Sequence, residues 1–145
     1  MAAPPGPYLA VQCATDFGDD ASLDALAEIL GQEQLPIIIF RAGAAPWHDD
    51  PQVCARLAAR LPGRARVCSS LHSAEVCALI AGATACLASS LHALLVAAAF
   101  GVPRWGLERR PGGGAKLRAY AETWGLFAVG AVQQFPPRWR SQQGL

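Results

Sequence analysis

Charge is scarce in this chain, and most of the short motifs that announce a chemistry are missing. Charged residues make up 16% of its 145 positions, the formal net charge is +1, and 52% of the residues are hydrophobic. That balance argues against disorder and against a charge-driven hold on nucleic acid, so no nucleic-acid partner is expected.

The five cysteines, Cys13, Cys54, Cys68, Cys77 and Cys86, include no CxxC pair. An odd number of singly scattered cysteines among apolar residues reads as buried, reduced thiols. Cys68 is the one candidate for a reactive thiolate, which would need a neighbouring positive charge or helix start. His48, His72 and His92 lack HxxxH spacing, so no metal is expected. "PGGGAKL" lacks the GK[ST] of a P-loop and no GxGxxG follows the first strand-like run, so nucleotide hydrolysis and a dinucleotide cofactor have no support. No cofactor is expected.

The opening "MAAPPGPYLAVQC" has no basic region, and its apolar run is too short for a signal peptide or a membrane span. The expected location is the cytoplasm, without membrane insertion.

What is present is an alternation of strand-like and helix-like segments. "YLAVQC" (Tyr8 to Cys13) reads as a buried strand, followed by a helix with Leu23, Leu26, Ala27 and Leu30 on one face and Gly31 as its stop. "LPIIIF" (Leu35 to Phe40) is β-branched enough for a sheet covered on both faces. The next helix has Asp50 as N-cap, Pro51 at its first position, and Val53, Leu57 and Leu61 as its stripe.

"ARVC" (Ala65 to Cys68) precedes a helix capped by Ser73, with Val76, Leu79 and Ile80 inward. "TACLA" feeds "SSLHALLVAAAFG", where Leu91, Leu94, Leu95 and Ala98 form the expected stripe. "VPRWGL" feeds a last helix carrying Leu117, Tyr120, Ala121 and Trp124, and "LFAVGAV" closes as a strand. Trp105 and Trp124 read as core.

Successive βα units predict an α/β fold: a Rossmann-like, doubly wound, mostly parallel sheet with helices on both faces. The expected limits are a tail over 1–7, the domain over 8–132 and a second tail over 133–145. Such sheets bind ligands beyond the carboxyl ends of their strands, where helix starts present unpaired amides.

The tetrapeptide SSLH occurs there twice, ending at His72 and His92. We read the repetition as chance. The copies differ in position: Ser73 begins its helix after His72, whereas Ser89 or Ser90 caps the other helix, putting His92 in the first turn beside free N–H groups. His92 is therefore the better anion ligand. Arg41, Arg104, Arg109, Arg110 and Lys116 are the available cations, with Arg41 and Lys116 the picks that rank second to His92. Asp16, Asp19, Asp20 and Asp24 surround a helix start and read as capping. Trp47, beside His48 in a long loop, is a candidate for stacking on a sugar.

The run "AEVCALIAGATACLASSLHALLVAAAFGVPRWGL", with "GGAKLRAYAETWGL" after it, resembles the C-terminal half of the polysaccharide pyruvyl transferase family. The resemblance is specific from Ala74 to Leu126. It implies one half of a GT-B-type fold and transfer of the enolpyruvyl unit of phosphoenolpyruvate to a sugar or glycan acceptor as a pyruvate ketal. The donor-contacting residues of that family match Ser90, Leu91 and His92, and Lys116 matches its lysine; Ser89 joins them as a substrate-binding candidate. His92 is the implied catalytic residue, as acid/base or phosphate ligand, since an imidazole titrates near neutrality.

Many members carry an arginine where this chain has Ser90, which offers a hydroxyl in place of a guanidinium. The family's N-terminal half has no counterpart in the sequence, so an isolated half is expected to be inactive or very slow unless a partner chain supplies the rest. A truncated member, a split subunit and a retained binding domain all fit. A glycosyltransferase-type half binding a nucleotide sugar and an inactive protein-association domain are the alternatives.

Overall fold

The computed structural model describes residues 6–43, 49–109 and 115–131. Six parallel strands form one sheet: β1 (Leu9–Gln12), β2 (Ile37–Ile39), β3 (Ala65–Val67), β4 (Ala85–Ala88), β5 (Arg104–Glu108) and β6 (Ala128–Ala131). Their order is β3-β2-β1-β4-β5-β6. Helices α1 (Asp20–Gly31), α2 (Pro51–Ala59), α3 (Ser73–Ala81), α4 (Leu91–Ala99) and α5 (Ala115–Trp124) connect them. The expected doubly wound architecture is the one observed.

The three strands β1, β2 and β4 are buried on both faces, which explains why "LPIIIF" and "YLAVQC" are nearly continuous apolar runs. Leu9, Val11, Ile37 and Ile39 pack with Leu23, Leu26 and Leu30 of α1 and Val53 and Leu57 of α2. Their neighbours Ala10, Ile38, Cys86 and Ala88 pack on the other face with Leu79 and Ile80 of α3, Ala93, Leu94 and Ala97 of α4, and Leu117 of α5. The chain reverses its winding between β1 and β4, so a crevice opens at their carboxyl ends.

Local signals explain most helix starts. Asp19 accepts the Ser22 amide at 3.0 Å, and Asp50 accepts the Gln52 amide at 2.8 Å with Pro51 following. Tyr8 Oη donates to the Leu79 carbonyl at 2.6 Å, satisfying one open acceptor in the last turn of α3. A Cβ on Gly82 would lie 2.9 Å from that hydroxyl, so the glycine keeps room for the bond.

Four expectations need correction. His72, not Ser73, occupies the N-cap position of α3, and it makes no side-chain cap bond. Gly31 is the last residue of α1, with Gln32 at the C-cap. The buried residues of α4 are Ala93, Leu94 and Ala97, while Leu91 packs only partly. The sheet beneath α4 presents Ala10 and Ala88, and alanines facing alanines let helix and sheet approach closely. Trp124 is 63% exposed and lies against Tyr120, with ring centroids 6.3 Å apart.

Candidate functional site

Gln12 is the last residue of β1 and lies in register with Ala88, the last residue of β4. Its side chain is buried and bridges the crevice: Oε1 accepts the amides of Ser89 and Ser90, both at 2.9 Å, and Nε2 donates to Asp49 Oδ1 at 2.7 Å. Asp49, also buried, uses its other oxygen to accept the Ala42 amide at 2.5 Å. Ser89 Oγ accepts the Ala14 amide at 3.0 Å and lies 3.3 Å from Gln12 Oε1. Ser89 therefore has its hydroxyl engaged within the protein.

Ser90 is the N-cap of α4, and its hydroxyl accepts the Ala93 amide at 3.3 Å. The Leu94 amide bonds to the Ser90 carbonyl, as the first helical turn requires. The amides of Leu91 and His92 have no hydrogen-bond partner among the described residues. With the helix dipole they make an end of the kind that suits an anion, and His92, exposed in the first turn, lines the same opening.

The opening is a cleft of about 780 Å³ lined by Gln12, Ser90, Leu91, His92, Arg109 and Lys116, among others. That size suits a small-molecule ligand. The structure thus brings together five of the expected residues, Ser89, Ser90, Leu91, His92 and Lys116. Arg41 is not among the lining residues; its Nη2 reaches the Ser69 carbonyl at 3.4 Å, beyond β3. Arg104 lies at the start of β5, where it bonds to the Val102 and Leu126 carbonyls, so it is at the opposite edge of the sheet. A smaller cavity of about 200 Å³ is found there, lined by Cys86, Arg104, Trp105 and Leu126 among others. Arg110, Trp47 and His48 lie outside the described residues.

The charges around the cleft are largely paired. Arg109 meets Asp19 at 3.1 Å, and Arg118 meets the fully buried carboxylate of Glu108 at 2.6 Å. Lys116, Asp16 and Asp49 are the cleft-lining charges without an ion-pair partner among the described residues, and Asp49 is held instead by neutral N–H donors. Asp20 and Asp24 point to Arg56 and Arg60, which ties α1 to α2. The expected capping falls to Asp19 alone, while Asp20 and Asp24 hold α1 against α2 instead.

Asp19 is held to a pKa of about 2, first by its hydrogen bonds from Ser22 and then by Arg109. Because the folded value lies below the unfolded one, its contribution to stability is complete above about pH 4. It fades as the pH falls toward 2. A carboxyl NMR titration should therefore give Asp19 a midpoint near 2, and Arg109→Ala should raise it only in part.

No cysteine lines the cleft, and Cys77, expected to be buried, is only partly so. Burial pushes the thiols of Cys13 and Cys86 up to about 12 and that of Cys54 up to about 11. Cys68 is buried at the end of β3, outside the cleft. All five are unbridged. Among the described residues there is no cluster of three or more potential metal ligands, and no helix is long and apolar enough to cross a membrane.

Sequence reasoning missed Gln12 and Asp49. The available signal was the polar residue that closes the apolar run "YLAVQC", but its partners lie 37 and 77 positions away.

Comparison with known proteins adds the following. A family model described as "Polysaccharide pyruvyl transferase" matches residues 17–111. No curated protein sequence matches the chain. Among solved structures, CalG4, the calicheamicin glycosyltransferase, is 20% identical with a TM-score of 0.58, covering 97% of this chain and 33% of its own. The E. coli heptosyltransferase WaaC, solved with ADP-2-deoxy-2-fluoro heptose, is 17% identical with a TM-score of 0.55, covering 83% of this chain and 45% of its own. The Methanocaldococcus jannaschii UDP-GlcNAc 2-epimerase, in complex with UDP-GlcNAc and UDP, is 14% identical with a TM-score of 0.60, covering 87% of this chain and 34% of its own. At these identities the likeness is one of fold. This chain spans a third to under a half of the length of these structures.

Proposed function

Because the chain belongs to the polysaccharide pyruvyl transferase family, we propose that the cleft between β1 and β4 binds phosphoenolpyruvate for pyruvate ketal transfer to a sugar. The observation that carries this reading is the start of α4: the unpartnered amides of Leu91 and His92, the imidazole of His92 and the ammonium of Lys116 border one cleft. An anion with both a carboxylate and a phosphate suits a helix end facing a lysine.

In the proposed reaction, a proton adds to the methylene carbon of the donor and one sugar hydroxyl adds to the adjacent carbon. A second hydroxyl then displaces phosphate from that carbon, which closes the ketal. We assign the proton transfers to His92 and charge compensation of the phosphate to Lys116 and the α4 amides. Ser90 keeps a hydroxyl for the donor while capping the helix, in the position where many other members have an arginine. Phosphoenolpyruvate is a cytoplasmic metabolite, so the cytoplasm is the compartment we assign.

The acceptor side of the cleft is assigned to a further segment or a partner chain. Without it, donor binding is expected and turnover is not.

A second reading has its own support. WaaC and the epimerase are nucleotide-sugar complexes on this fold, and a nucleotide diphosphate would suit the same helix start. Calorimetric titration separates the two. Saturable binding of phosphoenolpyruvate with none of UDP or ADP supports the pyruvyl donor, and the reverse supports the nucleotide sugar. Binding of neither, together with self-association, supports a protein-association domain.

A further inference from the structure

We propose that Gln12 is a positioning residue for the anion site, acting with Asp49 as a hydrogen-bond relay that fixes the start of α4. The proposal rests on the reading of this cleft as an anion site. Its basis is a juxtaposition of four chain segments at the switch point: the end of β1 (Gln12), the loop after β2 (Ala42), the approach to α2 (Asp49) and the β4–α4 junction (Ser89 and Ser90).

The side chain at position 12 faces two incompatible demands. On one side are two N–H donors, from Ser89 and Ser90, and on the other is a buried carboxylate, that of Asp49. A carboxylate there would satisfy the amides but oppose Asp49, and an ammonium would do the reverse. A carboxamide meets both at once, and these partners fix which end is oxygen. Asp49 is held in turn by the Ala42 amide, so neither member is free to rotate away.

The relay determines what the ligand can reach. By occupying the amides of Ser89 and Ser90, Gln12 leaves Leu91 and His92 as the open donors, one helical position further along. The junction is held before any ligand arrives, so the ligand does not have to order it. Gln12 contributes by aiming these groups, through bonds to their neighbours in sequence.

The test exploits the polarity of the relay. In Gln12→Glu two carboxylates confront each other, and in Asp49→Asn one carboxamide faces both the Gln12 amide and the Ala42 N–H. Combining the two changes restores every bond, with only the one between positions 12 and 49 reversed: the new carboxylate at position 12 still accepts both serine amides, and the new carboxamide at position 49 donates to it while still accepting the Ala42 amide. The measurements are the Kd for phosphoenolpyruvate and the ligand-free amide shifts of Leu91 and His92, with folding followed separately by far-UV circular dichroism.

Each single variant is expected to weaken binding about tenfold and to move both amide signals, consistent with loss of a hydrogen bond to a charged group. The double variant should bind at least about threefold more tightly than either single one, as coupled neighbours do, and return the signals toward wild type. Should Gln12→Glu fail to fold, Asp49→Asn and the double variant still make the comparison. Single variants that bind as the wild type does would overturn the proposal, as would a folded double variant no better than the singles.

Inorganic phosphate is the second probe. If the wild type binds phosphate but not phosphoenolpyruvate, the donor assignment falls and the same comparison is decided on phosphate. Binding of neither overturns both readings.

Discussion

Replacing His92 with alanine is expected to weaken phosphoenolpyruvate binding about tenfold to a hundredfold, the range for losing a hydrogen bond to a charged group. The fold should not notice. His92 is exposed in the first turn of α4, and no intramolecular bond of its side chain is present among the described residues. Surface changes of that kind alter stability by within about 0.5 kcal/mol, so Tm should stay nearly constant. Calorimetry on the variant checks both statements. His92→Gln should recover part of the affinity, because it restores an N–H donor without the ability to carry a proton. Under the proposed reaction, the same variant combined with an acceptor half should bind donor and turn over slowly, separating phosphate ligation from acid–base work.

The second large effect is expected from Leu94→Ala, at about 2–5 kcal/mol of destabilisation. Leu94 is fully buried and is the largest side chain that α4 sends into the core, among alanines that cannot close the space it would leave. For a domain with only about 5–15 kcal/mol of stability, that is a large share. A fall in Tm of roughly 6–20 °C is expected from the size scaling. Leu94→Met, which conserves volume, should cost less than about 1.5 kcal/mol. Chemical denaturation of the two variants measures the difference. The folded fraction of either should bind donor normally, since Leu94 lies on the buried side of the helix and does not line the cleft.

The sheet was legible in the sequence because its central strands β1, β2 and β4 are short apolar runs set off by helix caps and turns. "LPIIIF" offers no other sensible reading, and Asp50-Pro51 marks its helix start by backbone chemistry alone. The face of α4 was harder to assign. With leucines at 91, 94 and 95 and alanines at 93, 97, 98 and 99, the helix is apolar nearly all round, so periodicity cannot choose the buried side. The alanine-faced sheet chooses it. Trp124 was misread for the opposite reason: its spacing continues the Leu117 and Ala121 stripe, but it falls on the last residue of α5, where it is mostly exposed.

The candidate site divides along the same line. Ser90 and His92 were readable because a cap and a first-turn histidine are local facts. Gln12 and Asp49 were not, because a buried amide and a buried carboxylate have meaning only through partners brought together by strand order. Arg41 shows the limit in reverse: a cation at the end of a strand is at the correct edge, yet its side chain leans to the Ser69 carbonyl and not into the cleft.

The most direct measurement is a backbone amide NMR titration of the wild-type chain with phosphoenolpyruvate. The expected result is a set of saturable shifts centred on Leu91 and His92, extending to Ser89, Ser90 and Ala93 and to Lys116 across the cleft. Shifts gathered instead around Arg104 and Leu126 at the opposite edge, or none at millimolar ligand, would contradict donor binding at the start of α4.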